Sequence, residues 1–530
     1  MWQRTALILI VIVVLSTFFG PRPTDHPTAA QDSNAPCGVV EGFDFPVPDI
    51  DIEYPDFGIY RVRFGGLHTG IDVAFEQLGM PVRAAARGRV TYSDVEGWGT
   101  EKGVVVIQHT FPDGTLVNTL YGHMEQLNGY SFPYVDQCVD RGDVIGAIGS
   151  PSLGLPHLHY EIRTRYRYEG GPGYTEVNPL ELGWLHPVDF TFLARIRVHP
   201  AYLGDFSLLE SPTLPLLDMQ DGSYIVTHNH HIEGVSTTGE VQWRFDTLGS
   251  VSGIVRLNDG RVLFTTSSNQ VLVLNNGSYD ALWDMPRPFR VGPALLGDLV
   301  VFVTEENTLV ALTPDGAVVW ESSALPADVL RWAVNGDRLA ISTTNNELFV
   351  VAAAGTVLYH NVFAGPTVPA ASPDGGFWLL SGTTVWHLDQ EFAAVPRFET
   401  RDQLGATAEV LSAPSGMLYV YPGEGRSLYA YSPAGDLVWI AYMPGNHLRP
   451  PHFGLGGGQH IYVLTMDGQL LAYATSDGRL LGQLALYDGG IYGAASTRWL
   501  HVSSEDVVTF SSGFLSVVTL DGLAFANVAD

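Results

Sequence analysis

The stretch LVALTPDGAVVW runs from Leu309 to Trp320. It holds an apolar strand, a turn ending in Gly316, and a second strand with an aromatic four residues after that glycine. Related text recurs as STTGEVQW, NNGSYDALW, AAAGTVLY, SPAGDLVW, TSDGRLLG and TLDGLAF. The turn glycines are Gly239, Gly277, Gly316, Gly355, Gly435, Gly478 and Gly522, separated by 38, 39, 39, 80, 43 and 44 residues. The gap of 80 holds two units, and TTVWHLDQEFAAV (Thr383 to Val395) stands at its middle without the glycine, which makes eight units. Their apolar residues alternate with period 2, which excludes stacked helical repeats. A period near 40 with about four short strands per unit is the signature of a β-propeller. Trp243, Trp320, Tyr359 and Trp439 each follow a turn glycine by four. A residue recurring at one place in every unit reads as a wedge between neighbouring blades.

From about Leu203 onward the repeat resembles the PQQ-like family, whose units run LxALxxDGxxxW. That resemblance implies a fold, not an activity. The quinone-binding dehydrogenases of the family use paired cysteines, and this half of the chain has none. A quinoprotein oxidoreductase is therefore the weaker alternative, and the propeller reads as a binding or spacing module whose ligand the sequence does not name.

The rest of the chain reads differently. From about residue 45 to 195, short Val/Ile-rich strands alternate with glycine turns, as in GVVVIQHTFPDGTLVNTLYGHM, a hairpin around PDG. No long 3.6-residue period appears, so the expected class is all-β throughout. The 530 residues exceed one core, with 46% apolar and 16% charged residues. The formal net charge of −29 repels phosphate backbones and argues against a nucleic-acid partner. At the N-terminus, Arg4 precedes a 10-residue apolar run from Ala6 to Leu15. That is short of the roughly 20 residues a spanning helix needs. A signal peptide ending near Ala30 is expected, with a retained membrane anchor as the alternative. Either way the chain is expected to be exported, secreted or bound to the cell envelope. Cys37 and Cys138 are the only cysteines, and in an exported chain they are expected to pair.

Three segments carry chemistry: HTGID (His68 to Asp72), YGHM (Tyr121 to Met124) and HLHYE (His157 to Glu161). Alternation along a strand puts His157, His159 and Glu161 on one face, with Leu158, Tyr160 and Ile162 on the other. Catalytic zinc sites use three nitrogen or oxygen ligands and leave one position open. His68, Asp72 and His159 supply such a set. His123 and His157 are then free to move protons near neutral pH. Glu161 reads either as an orienting partner or as a solvated carboxylate. Tyr121 and His109 read as packing. HNHH (His228 to His231) falls in a propeller turn, and as a short tract it is only a compositional hint of metal.

Together the three segments closely resemble the lysostaphin/LytM-type zinc metallopeptidases, with HxGxD, a central YxH and a closing HxH. RAAARGRV, VDRGDVIGAIG and EVNPLELG match the family's text as well. The resemblance covers about Phe57 to Leu185. It implies that His68, Asp72 and His159 bind Zn²⁺, that His123 and His157 are catalytic, and that the substrate is the peptide of peptidoglycan or another extracellular peptide. It leaves a non-catalytic wall-binding or activator protein as the alternative, against which the intact ligand set argues. The segment before His68 is shorter than in many members, so the family's substrate loops do not carry over there. The expected organisation is a signal peptide or anchor over 1–30, a linker over 31–56, the metallopeptidase over 57–197, a linker and propeller start over 198–215, and the propeller over 216–530. The zinc constellation lies before residue 160 and the repeat begins after residue 200, so a piece ending near Pro200 is expected to fold and act alone.

Overall fold

The structure is a computed structural model that describes residues 35–48, 56–166, 168–171, 173–210, 212–221, 223–236, 238–443, 451–465, 469–485, 499–511 and 516–522. The signal peptide or anchor expected over 1–30 lies outside the described residues. No helix among the described residues is long and apolar enough to cross a membrane.

The N-terminal half is built on a nine-stranded sheet with Leu158–Arg163 one strand in from its edge. That strand pairs with Ile71–Val73 on one side and with Leu116–Glu125 on the other. Leu158, Tyr160 and Ile162 face the core, as the alternation predicts. The stretch read as a linker belongs to this core: Val40, Phe43, Phe45 and Val47 are buried in it. Cys37 and Cys138 form the expected disulfide, which pins that stretch across a separation of 101 residues.

The C-terminal half is a propeller of eight antiparallel sheets among the described residues. Seven have four strands. The exception is Thr367–Ala371, Phe377–Leu388 and Ala394–Leu404, where the repeat lacks its glycine and the chain makes two long strands. The recurring glycine and aromatic of the repeat serve one contact. A Cβ on Gly277 would lie 2.3 Å from Trp243, and one on Gly355 would lie 2.7 Å from Trp320. The aromatic of one blade thus lies flat on the turn of the next. Trp320 also donates its Nε1–H to Ala353 O at 2.7 Å, and Trp439 does so to Thr475 O at 2.9 Å. The wedge reading of the tryptophans holds.

The ring closes by sharing a sheet between the two ends of the repeat. Tyr202–Ser207 pairs antiparallel with Ser516–Asp521. The closing blade then meets the first through Phe206, Leu216, Val226, Trp499 and Val517, and through His501 Nε2 and Asp218 Oδ2 at 3.1 Å.

The two halves share one core. The helix Pro187–Arg197 starts at His186, whose Nδ1 accepts from Asp189 N, with Pro187 in the first turn and Arg195 and Arg197 in the last. Nine of its eleven residues are buried. Phe190, Phe192, Leu193 and Ile196 join Tyr160 and Ile162 of the N-terminal sheet with Tyr462, Leu464, Val508, Phe510 and Val518 of the propeller in one cluster. Arg197 reaches Asp205 with two hydrogen bonds, at 2.7 and 2.9 Å. The junction is therefore a packed helix and not a flexible tether. This alters the expectation of a separable first domain: the helix is buried on nearly every side because both halves cover it.

Candidate metal centre

His159 and Asp72 are direct cross-strand partners, which fixes an imidazole and a carboxylate side by side. His68 ends the strand Gly66–His68, four residues before Asp72. Gly70 between them has no positive φ; its role is space. A Cβ there would lie 2.5 Å from Tyr160 O and 2.9 Å from His159 Nε2. The structure brings three atoms together: His68 Nε2 and His159 Nδ1 are 2.9 Å apart, His159 Nδ1 and Asp72 Oδ1 3.2 Å, and His68 Nε2 and Asp72 Oδ1 3.4 Å. Ligands of a tetrahedral zinc with bonds of 2.0–2.1 Å stand about 3.3 Å apart. The set could hold that ion without rearrangement.

Each imidazole is aimed by its other nitrogen. His159 Nε2 donates to Glu161 Oε1 at 3.0 Å, leaving Nδ1 for the site. Glu161 is fully buried and also accepts from Thr69 Oγ1, Trp184 Nε1 and Arg163 Nη1. Burial opposes its charge, but His159, Arg163 and Thr69 outweigh it and hold its pKa at about 2. Of the two readings left open for Glu161, the orienting one is correct. His68 Nδ1 lies 3.1 Å from Asp56 Oδ2, and Asp56 also takes the backbone N–H of Asp72 at 3.1 Å and pairs with Arg61. Burial disfavours the charged His68, yet Asp56 and Asp72 raise its pKa to about 10. Asp72 is held well below the usual carboxylate range: burial opposes this, and His157, His159 and His68 override it.

The other two histidines stand beside this trio. His157 Nδ1 donates to Leu155 O at 2.7 Å, and its Nε2 lies 3.5 Å from Asp72 Oδ1. His123 Nδ1 donates to Glu101 O at 2.8 Å, and its ring centroid is 4.6 Å from that of His157. Both therefore present Nε2 to the site. Burial, then the charges of His157 and His159, lower His123 to about 4, so it is a neutral base at pH 7. Its φ of 60° is uncommon for a residue with a side chain, and such backbones cluster at functional sites. Trp98 packs edge-on against His123 and His159, admitted by Gly122, where a Cβ would meet its ring at 2.3 Å. All five histidine and aspartate residues singled out from the sequence line one cleft or its floor. The cleft holds about 620 Å³, with Arg61, Arg63, Phe64 and Tyr174 on its rim. Among the described residues, none from the propeller lines it.

Asp56, Trp98 and Tyr174 escaped the sequence reading. Tyr174 stacks on His68 at 5.2 Å and on Phe64 at 4.4 Å. None of the three stands at a telling spacing from the motifs. Tyr121 and His109 are structural, as expected: Tyr121 OH accepts from Ala85 N, and His109 bonds Arg87 O and Thr119 Oγ1.

Residues 66–178 match peptidase family M23, and residues 228–368 and 375–527 match the family described as outer membrane protein assembly factor BamB. The chain belongs to the BamB-like repeat family and carries an M23 peptidase domain ahead of the repeat. BamB from Moraxella catarrhalis is 14% identical over 60% of this chain and 96% of its own, with a TM-score of 0.46. The computationally designed Ika8 protein is 12% identical over 60% and 99%, at 0.49. The C-terminal WD40 domain of Sif2 is 12% identical over 61% and 98%, at 0.47. A comparison with curated proteins finds no match. The M23 match spans His68, Asp72, His123, His157 and His159, and M23 peptidases are generally zinc-dependent.

Proposed function

We propose that the M23 domain is a zinc endopeptidase of an exported protein, acting on the peptide cross-links of peptidoglycan. The observation that carries the reading is the trio of ligand atoms 2.9–3.4 Å apart with two further imidazoles presenting Nε2 beside it. His68, Asp72 and His159 would hold a zinc ion, which would supply Lewis acidity toward a carbonyl and its bound water. The protein does the rest. Asp56 and Glu161 fix the two imidazoles in their tautomers. His123, neutral at pH 7, is placed to accept a proton at Nε2. His157 Nε2, beside Asp72, donates to the oxyanion or the leaving amine. The open cleft with Phe64 and Tyr174 on its rim suits an extended peptide. The peptidoglycan substrate rests on the likeness to LytM-type enzymes, and the disulfide accords with an oxidising compartment.

The propeller is proposed as a binding or positioning module, because none of its described residues lines the cleft and it packs behind the opposite face of the sheet. The test is digestion of purified peptidoglycans with differing cross-bridges by the zinc-loaded chain, read by mass spectrometry. Fragments with new amino termini at one bond type are expected from the wild type and none from H159A. Equal release by both proteins, or no release from any wall, rejects the reading.

A further inference from the structure

The tract His228 to His231 sits where the propeller closes, and the structure gives it company that the sequence did not show. Glu210, His228 and His231 each offer a ligand atom within 4.8 Å of the other two. Glu210 lies on the crossover between Tyr202–Ser207 of the closing blade and Leu217–Asp218 of the first. His228 and His231 flank the turn after Tyr224–Thr227 of the first blade. The crossover is laid against that turn: Thr213 N donates to Thr227 O at 2.8 Å.

Glu233 stands behind the pair. Its Oε2 is 3.4 Å from His228 Nε2 and its Oε1 is 3.5 Å from His231 Nε2. One buried carboxylate thus stands at the Nε2 edge of both imidazoles, where outer-shell carboxylates stand at metal sites, and leaves each Nδ1 on the far side of its ring. His228 Nδ1 then faces Glu210 Oε2 at 4.0 Å. His231 Nδ1 accepts from the guanidinium of Arg244 at 3.2 Å, so a cation already rests on that lone pair. Arg244 is half-exposed, its other head nitrogen is 3.8 Å from Glu233 Oε1, and it also bonds Asp246 Oδ1 at 3.2 Å. It has somewhere to go when another cation arrives.

The other blades show that the fold does not need these imidazoles. The equivalent turns read TSSNQ (Thr266 to Gln270), TEENT (Thr304 to Thr308) and TTNNE (Thr343 to Glu347), against THNHH (Thr227 to His231). Among these turns, histidine appears in the blade that receives the ring-closing crossover.

We propose that Glu210, His228 and His231, oriented by Glu233, bind a second divalent metal ion that clips the closing crossover to the first blade. Two imidazoles and a carboxylate suit zinc, cobalt or nickel over calcium or magnesium. The ion adds a cross-link between the first and last blades, so it stabilises the closed ring by mass action. The site does not rest on the peptidase reading, and its geometry is independent of the M23 centre.

The test uses the full chain and zinc alone. The wild type is expected to hold two zinc ions per chain by elemental analysis, H159A one, and H159A/H231A none. In H159A the melting temperature is expected to rise with added zinc, and in H159A/H231A it is not. Glu210 is exposed, so E210A keeps the fold. Combined with H159A, it should weaken the remaining site by at least about tenfold. An H159A protein that folds, holds no zinc and melts at the same temperature with and without zinc overturns the proposal. Zinc retained in full by both H159A/H231A and H159A/E210A overturns it as well. Two zinc ions retained by H159A alone would instead count against the ligand assignment in the M23 domain.

Discussion

His159 shows how much one residue can be asked to do. Its strand position sets it opposite Asp72, Glu161 takes its Nε2–H, and Nδ1 is left for the ion. E161Q should therefore keep the three ligands yet weaken zinc by about 10–100-fold, measured by competition with a chelator. His123 and His157 are not needed to hold the ion. H123A and H157A should retain zinc in the M23 centre and lose turnover by roughly 10²–10⁴-fold, since that is what positioned proton transfer contributes. Near wild-type hydrolysis by either variant would remove its role. His68 binds metal only as the neutral base, and its pKa in the metal-free site is raised to about 10. Zinc and a proton compete for it, so affinity should climb as pH rises from 6 to 9. A flat affinity over that range, measured in a chelator-buffered titration, would contradict the pairing with Asp56 and Asp72. The five central residues were legible because each stands in a short contiguous motif. Asp56 and Tyr174 were not, because they reach the site from separate segments and touch it only after folding.

At the scale of elements, the repeat was legible because its glycine and aromatic are two halves of one contact between blades. Gly277 under Trp243 and Gly355 under Trp320 must recur together for the blades to pack. The blade without the glycine was found only by its spacing, and its two long strands account for the departure. The helix Pro187–Arg197 was missed because a helix buried on both sides shows no amphipathic stripe. Its Asp189 is the element's weak point. Burial raises the carboxyl to about 7, against a hydrogen bond from Ser516 of the propeller. The folded protein therefore holds that proton more tightly than the unfolded chain does. Stability falls as pH rises from about 4 to 7, by on the order of 4 kcal/mol when the group is fully ionised. D189N should raise the melting temperature at pH 8 and change it little near pH 4. Equal shifts at both pH values, by calorimetry, would show that Asp189 is not ionised within the interface.

At the scale of the whole molecule, the sequence divides cleanly and the structure does not. The motifs end before residue 162 and the repeat starts after 200, yet Phe190, Phe192 and Ile196 pack against both halves. A piece ending near Pro200 should therefore expose an apolar helix face and associate or melt early. A monomer of undiminished melting temperature would restore the separable first domain. The cleft opens on the sheet face away from this junction. The proposed peptidase activity rests on an ion between His68, Asp72 and His159. The most direct measurement is an anomalous difference map at the zinc absorption edge from crystals of the full chain. The account predicts a peak about 2.0–2.1 Å from His68 Nε2, Asp72 Oδ1 and His159 Nδ1. A zinc-loaded, hydrolytically active crystal with no anomalous density among those three atoms would contradict it.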